Sequence, residues 1–334
     1  MRAVENNEID RRVHKVVRIN DVAYMHAKGK ALLADLYLPQ ETQQLPPVII
    51  WLHGGGWRFG DRRLGPDLTR YFAVLGYAMV SIEYRLSTEA LFPAQIEDVK
   101  TAIRWVRSVA AQYGMNASRI ALWGSSSGGH LAALAATSGV GVFEGPGSDF
   151  SEHSSAVQAV VDGYGPIDFL QLDADRVLVE PRVLAERLPN TEITTSRKAL
   201  RATDADSYES QLLGAPINSV PELVARANPI TYASGKEPPF LILHGAHDAA
   251  VPAHQSELLF EALAKKGSEA TLYLAEGLGH GFLNHNNFSE RPQKNVEVRR
   301  TLRGKVTTET RAHPLGFKTI EAFLRQHLFG PVKT

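Results

Sequence analysis

The chain has no cysteine. That absence excludes a disulfide framework, a thiolate metal site and a cysteine nucleophile. Net charge is missing too: 36 Lys plus Arg stand against 36 Asp plus Glu in 334 residues. A balanced chain lacks the basic footprint of a nucleic-acid binder, so no nucleic-acid partner is expected. No apolar run approaches the roughly 18 to 20 residues needed to span a bilayer, so no membrane partner is expected either. Met1–Arg12 is polar and of mixed charge, without the apolar stretch of a secretory leader. The expected compartment is the cytoplasm, or an exported location with the leader already removed. H-E-x-x-H, Walker and EF-hand patterns are all absent, and Gly139-Val140-Gly141 is not followed by the glycine a dinucleotide loop requires. Neither a metal nor a cofactor is expected.

What is present is the composition of a folded protein, 44% hydrophobic and 22% charged. Strand-like and helix-like segments alternate. Val13–Ile19 and Leu32–Leu38 read as strands. Val48–Leu52 is a continuous apolar run, as for a strand buried on both faces. Further strands are expected at Ala78–Tyr84, Arg119–Gly124, Val157–Gly163, Phe240–His244 and Ala270–Ala275. Pro93 opens a helix reaching about Tyr113, with Ile96, Val99, Ile103 and Val106 on one face. Ser127–Thr137 is a helix of small residues, His254–Lys266 buries Leu258, Leu259 and Leu263, and Pro314–Phe329 closes the chain as an amphipathic helix. This rhythm predicts an α/β fold, a mostly parallel sheet with helices on both faces, in one domain over residues 1–334.

Two stretches break the rhythm. Leu170–Ser234 is long and polar, and it is a candidate cap. Leu283–Ala312 carries Arg291, Lys294, Arg299, Arg300, Arg303, Lys305 and Arg311 against Glu290, Glu297 and Glu309. It is expected to be a solvated surface helix, with anion recruitment as the rival reading.

Gly124-Ser125-Ser126-Ser127-Gly128 is a G-x-S-x-G motif between a strand and a small-residue helix, the setting in which a serine sits on a strained turn with its hydroxyl exposed. Ser126 is therefore the candidate nucleophile. Directly after the strand Val48–Leu52 comes His53-Gly54-Gly55-Gly56-Trp57. Acyl transfer needs donors aimed at the oxygen that becomes negative, and glycine lets backbone N–H groups approach closely. Gly55, Gly56 and Ser127 are assigned to such an oxyanion hole. A serine hydroxyl also needs a base. His280, framed by glycines in Glu276–Phe282, is the choice over His285, while His53, His130 and His244 read as a loop brace, a helix-surface residue and a strand-end residue. Asp248 follows the strand Phe240–His244 and a glycine turn, which puts a carboxylate where ligands bind in open α/β sheets. The alternative for Asp248 is a cap on the helix at 254–266. Trp57, Tyr84, Tyr164 and Phe169, on or near strand ends, are candidate substrate-binding walls, with core packing as the competing reading.

The segments HGGGWRFGD (53–61), SIEYRLS (81–87), FPAQIEDVKTAIRWVR (92–107), ALWGSSSGGHLAAL (121–134), SQLLGAP (210–216), ANPITYAS (227–234), LILHGAHDAAVP (241–252) and EGLGHGF (276–282) resemble the α/β-hydrolase carboxylesterases. The resemblance is to the bacterial feruloyl-esterase-like and acetylesterase-like branch, near the hormone-sensitive-lipase type. It covers about residues 14 to 282 and the final helix. It implies the α/β-hydrolase fold and a serine esterase with Ser126, Asp248 and His280 as its triad, in the chain order serine, acid, histidine. The segment 283–312 is longer than the family implies. The expected substrate is a small ester with a short or aromatic acyl group. The rivals are an arylformamidase or amidase, a binding protein that has lost catalysis, and a peptidase. A homo-oligomer is left open.

Overall fold

A computed structural model describes residues 13–145, 150–178, 201–285, 288, 293–313 and 315–330. The leader reading on Met1–Arg12, the 179–200 part of the expected cap, and Glu290 and Arg291 lie outside the described residues.

Among the described residues ten strands form one sheet in the order β1-β2-β4-β3-β5-β6-β7-β8-β9-β10. The first two, β1 (Val16–Ala27) and β2 (Lys30–Pro39), are joined through Lys28 and Gly29. Both turn residues have positive φ, 49° and 81°, the sense that matches the twist of the flanking strands. The centre is parallel: β3 (Pro47–Leu52), β4 (Ala78–Ile82), β5 (Asn116–Ser125), β6 (Ala159–Gly163), β7 (Phe240–Gly245) and β8 (Ala270–Ala275). All six residues of β3 and of β7 are buried, because helices cover both faces of these strands.

Alternate residues of each central strand feed two separate cores. Ile50, Val80, Leu122, Val160 and Ile242 point to one face, with α2 (Ala94–Val109), α3 (Ser127–Thr137) and, nearer β8, α7 (His254–Lys266). Ile49, Met79, Trp123, Val161 and Leu243 point to the other, with α1 (Leu68–Tyr71) and α8 (Phe317–Leu328). Along the chain between α3 and α7, the described part of the expected cap contributes α4 (Leu172–Leu178), α5 (Tyr208–Leu213) and α6 (Pro221–Ala227). This is the expected α/β-hydrolase arrangement with shifted strand bounds: β1 starts at Val16 and runs on to Ala27, β5 starts earlier at Asn116, and β4 and β6 are each two residues shorter than expected. Among the described residues no helix is long and apolar enough to cross a membrane.

One expectation is overturned. The basic stretch within 283–312 is not a surface helix but a hairpin, β9 (Gln293–Leu302) and β10 (Lys305–His313), continuing the sheet antiparallel to β8. Val296, Val298 and Thr301 are buried on β9, while β10 is mostly exposed. Val296 and Val298, two residues apart on one face, outweigh the charges, which stay partly exposed and pair: Arg299 with Glu257 on α7 and Arg300 with Glu309 on β10. Arg303 and Gly304, with φ of 52° and 76°, close the turn.

Candidate active site

The C-terminal ends of β3, β5, β7 and β8 bring the site together. After β5 the backbone turns sharply at Ser126, which has φ 54° and ψ −123°. A non-glycine residue in that region is strained and persists only where its surroundings enforce it. The enforcement is close packing: a Cβ on Gly124 would lie 2.2 Å from the Gly128 carbonyl oxygen, and one on Gly128 would lie 2.1 Å from that of Leu52. Only glycine permits both approaches. Ser126 N–H donates to the Gly163 carbonyl at 2.7 Å, which pins the turn to β6. Ser125 and Ser127 are buried, whereas Ser126 is partly open to solvent.

His280 Nε2 is 2.9 Å from Ser126 Oγ, and His280 Nδ1 is 2.7 Å from Asp248 Oδ2. The imidazole comes from the loop after β8 and the carboxylate from the loop after β7. Gly245 lets those loops meet, since a Cβ there would lie 2.5 Å from the Leu278 backbone. Asp248 is not a helix cap: Ala253 precedes α7, with no side-chain cap. Instead its Oδ1 accepts from the N–H groups of Ala250 and Val251, both at 2.9 Å. Burial pushes the Asp248 carboxyl up, but the charges and hydrogen bonds of His280 and His244 outweigh it and hold the group well below the usual carboxylate range. His285 is exposed. A hydroxyl, an imidazole and a buried carboxylate in this order can move a proton off the serine oxygen and stabilise the resulting imidazolium.

The loop after β3 lies against the serine turn, with a Cβ on Gly54 falling 3.3 Å from Ser126 Cβ. Gly55 and Gly56 take φ of 116° and 61°. Among the described residues, the N–H groups of Gly55, Gly56 and Ser127 have no hydrogen-bond acceptor. His53 Nδ1–H donates to the Gly54 carbonyl at 2.6 Å, and its ring stacks on Tyr84 at 4.4 Å. Burial lowers the His53 pKa to about 4, so the ring is neutral near pH 7.

The four aromatics expected to line the pocket are closed off, at 0 to 2% exposure. Their contacts are with the framework. Trp57 Nε1–H donates to His130 Nδ1 at 3.2 Å and the Trp57 ring meets Phe169 edge-on. Tyr84 donates to the His53 carbonyl at 2.9 Å. Tyr164 packs its ring 4.9 Å from that of His280 and accepts from Leu283 N–H. His130 is corrected outright: it is fully buried, because α3 is buried on every side. Its Nε2–H donates to the Ala227 carbonyl at 2.8 Å, so it ties the loop at 53–57 to α3 and to the cap.

Sequence reasoning passed over the rings that are open. Tyr208, the first residue of α5, is 48% exposed and lies against Gly56, where a Cβ would fall 2.8 Å from its ring. Phe59 is 53% exposed and meets Tyr208 edge-on at 5.9 Å. Arg58 donates to Gln211, binding the same loop to α5. α4 reaches the loop that carries Asp248, where Arg176 Nε and Nη2 donate to the Ala250 carbonyl at 3.2 and 3.0 Å. No periodicity marks Tyr208; the signal was an aromatic directly after a helix-capping serine in the segment suspected as a cap. Among the described residues no three His, Asp or Glu side chains are grouped to hold a metal ion.

This geometry can be set beside known proteins. Residues 34–263 match the BD-FAE family model. The chain belongs to the BD-FAE family. Esterase LipC of Mycobacterium tuberculosis is 31% identical over 262 residues, covering 77% of this chain and 59% of LipC. From the same organism, the probable carboxylic ester hydrolase LipM is 33% identical over 229 residues, 68% of this chain and 47% of LipM. This BD-FAE chain thus spans about half the length of these curated relatives. Among solved structures, a truncated carbohydrate esterase from gut microbiota superposes with a TM-score of 0.70 at 28% identity, covering 95% of this chain and 98% of that one. Butyrate-bound esterase Est2 of the planctomycete Thermogutta terrifontis gives 0.59 at 26% identity, over 82% of this chain and 86% of that one.

Proposed function

We propose that this BD-FAE-family protein hydrolyses carboxylic esters with short or aromatic acyl groups through a covalent acyl-serine intermediate. The observation that carries the reading is the continuous contact from Asp248 through His280 to Ser126, at 2.7 and 2.9 Å. Ser126 Oγ attacks the ester carbonyl carbon as its proton passes to His280 Nε2. The carbonyl oxygen becomes negative and receives hydrogen bonds from the N–H groups of Gly55, Gly56 and Ser127, beside the N-terminus of α3. Collapse of the tetrahedral adduct breaks the bond to the leaving oxygen, which takes the proton from His280. A water molecule then repeats the sequence on the acyl-enzyme, giving the carboxylic acid and free Ser126. Asp248 holds the imidazole tautomer throughout.

Trp57, Tyr84, Tyr164 and Phe169 shape the pocket from behind, through the loops they brace. Tyr208 and Phe59 are the rings at its mouth. The esterase relatives support ester hydrolysis over the amide alternative.

The test is a panel of p-nitrophenyl esters of increasing acyl length, methyl ferulate and N-formylkynurenine, with Ser126→Ala as control. The expected result is turnover of the esters that Ser126→Ala abolishes, with the formyl amide far slower. Preference for the formyl amide, or full activity in Ser126→Ala, would overturn the reading.

A further inference from the structure

His244, the penultimate residue of β7, is fully buried, yet the reaction above does not use it. Its Nε2 lies 2.8 Å from the Val251 carbonyl oxygen. A carbonyl can only accept, so Nε2 carries the proton. The same nitrogen is 3.3 Å from Asp248 Oδ2, the oxygen that also accepts from His280 Nδ1 at 2.7 Å. On its other side, Nδ1 is 2.6 Å from Ser256 Oγ on α7, within hydrogen-bond reach.

We propose that His244 is a positioning residue for the reaction, sharing its Nε2–H between Val251 and Asp248 so that the carboxylate is gripped by two imidazoles rather than one. The proposal rests on the Ser126 ester-hydrolase reading. Two consequences follow from the geometry. The second grip limits rotation of the carboxylate that orients His280. It also draws electron density from Oδ2, which leaves Asp248 a weaker partner for the His280 imidazolium. The titratable groups facing His244 are Asp248 from the loop after β7, Asp162 on β6, whose carboxyl His244 pulls down, and the Tyr164 ring at 6.3 Å; Ser256 faces it from α7.

Removing the donor therefore makes Asp248 more basic and strengthens its hold on protonated His280. In His244→Leu, the acid limb of kcat/KM moves to higher pH by about half to one unit. The kcat falls roughly tenfold with KM little changed, because the loss is in proton transfer and not in substrate binding. His244→Gln, whose amide can still donate, recovers part of both effects. Ser256→Ala leaves every Asp248 contact in place but removes the hydrogen bond that fixes the His244 ring, so it gives a smaller shift in the same direction.

The experiment is a set of kcat/KM profiles from pH 5 to 9 on p-nitrophenyl acetate for the parent chain and the three variants, with Ser126→Ala as blank. A purely structural role would lower Tm while the acid limb of the folded fraction stayed in place, and that result overturns the proposal. Should His244→Leu fail to fold, His244→Gln and Ser256→Ala decide by the same limb. Activity that survives Ser126→Ala would instead overturn the ester-hydrolase reading, so the two failures are distinguishable.

Discussion

Two buried aspartates lie near the C-terminal edge of the same sheet, one strand apart, and the protein treats them in opposite ways. On the loop after β7, Asp248 accepts from two backbone N–H groups and from His280, has His244 Nε2 3.3 Å from its Oδ2, and is held ionised. On β6, Asp162 accepts from Gly165 N–H through Oδ1, while its Oδ2 has no partner among the described residues. Burial pushes the Asp162 carboxyl up to about 6, against the pull of His244 and the Gly165 hydrogen bond. Depth is shared; partners differ. A buried carboxylate becomes a stable anion only where donors converge on both oxygens.

The comparison can be broken at Asp248 first. Asp248→Asn should cut kcat by about 10⁴-fold on p-nitrophenyl acetate, because the amide offers His280 the wrong hydrogen-bond partner. Asp162→Asn should keep kcat within a few-fold, and an equal loss at both positions would erase the distinction. A third place where negative charge must be met is the oxyanion. Gly55→Ala, whose Cβ would lie 2.2 Å from the Phe59 carbonyl oxygen, should displace its donor and cost about 100- to 1000-fold in kcat.

Stability sharpens the contrast next. A carboxyl whose folded pKa is raised from 3.8 to about 6 binds its proton more tightly when folded. Stability is therefore lost as pH rises through the window from about 4 to 6, and the deficit is constant above it. Asp162→Asn should remove the deficit, raising unfolding free energy by up to about 3 kcal/mol at pH 8 and changing it little at pH 4, as urea titrations at both pH values would read. Asp248 has the opposite sign: its stabilisation is present at neutral pH and fades only as the pH falls below about 4. The smallest effect is expected at the mouth of the site. Tyr208→Ala should lower kcat/KM for aryl esters about three- to tenfold, and for ethyl acetate by less, since ring contacts contribute about 1 kcal/mol.

Local pattern went far in this chain. The apolar run at 48–52, the small-residue segment 127–137 and the helix at 254–266 appear where their residues indicate. Ser126 and the glycines around it were legible because a strained turn accepts few other residues. His280 and Asp248 were legible because each follows a strand and a glycine. Charge misled the reading of 283–312, where Val296 and Val298, buried two residues apart on β9, help decide the structure. Exposure was misjudged for His130, since one chain cannot reveal that a helix has neighbours on all sides. Trp57, Tyr84, Tyr164 and Phe169 were correctly placed near strand ends, but whether an aromatic faces solvent or framework depends on elements far away in sequence.

The order of strands and helices as far as β8, the strained serine turn and the glycine loop follow from the sequence alone, because each depends on neighbours within a few residues. The meeting of residues 126, 248 and 280, the two imidazoles on one carboxylate, and the closing of Tyr208 over Gly56 depend on tertiary structure. Those contacts exist only once parallel strands align their ends at one edge, and distance along the chain carries no information about which ends become neighbours.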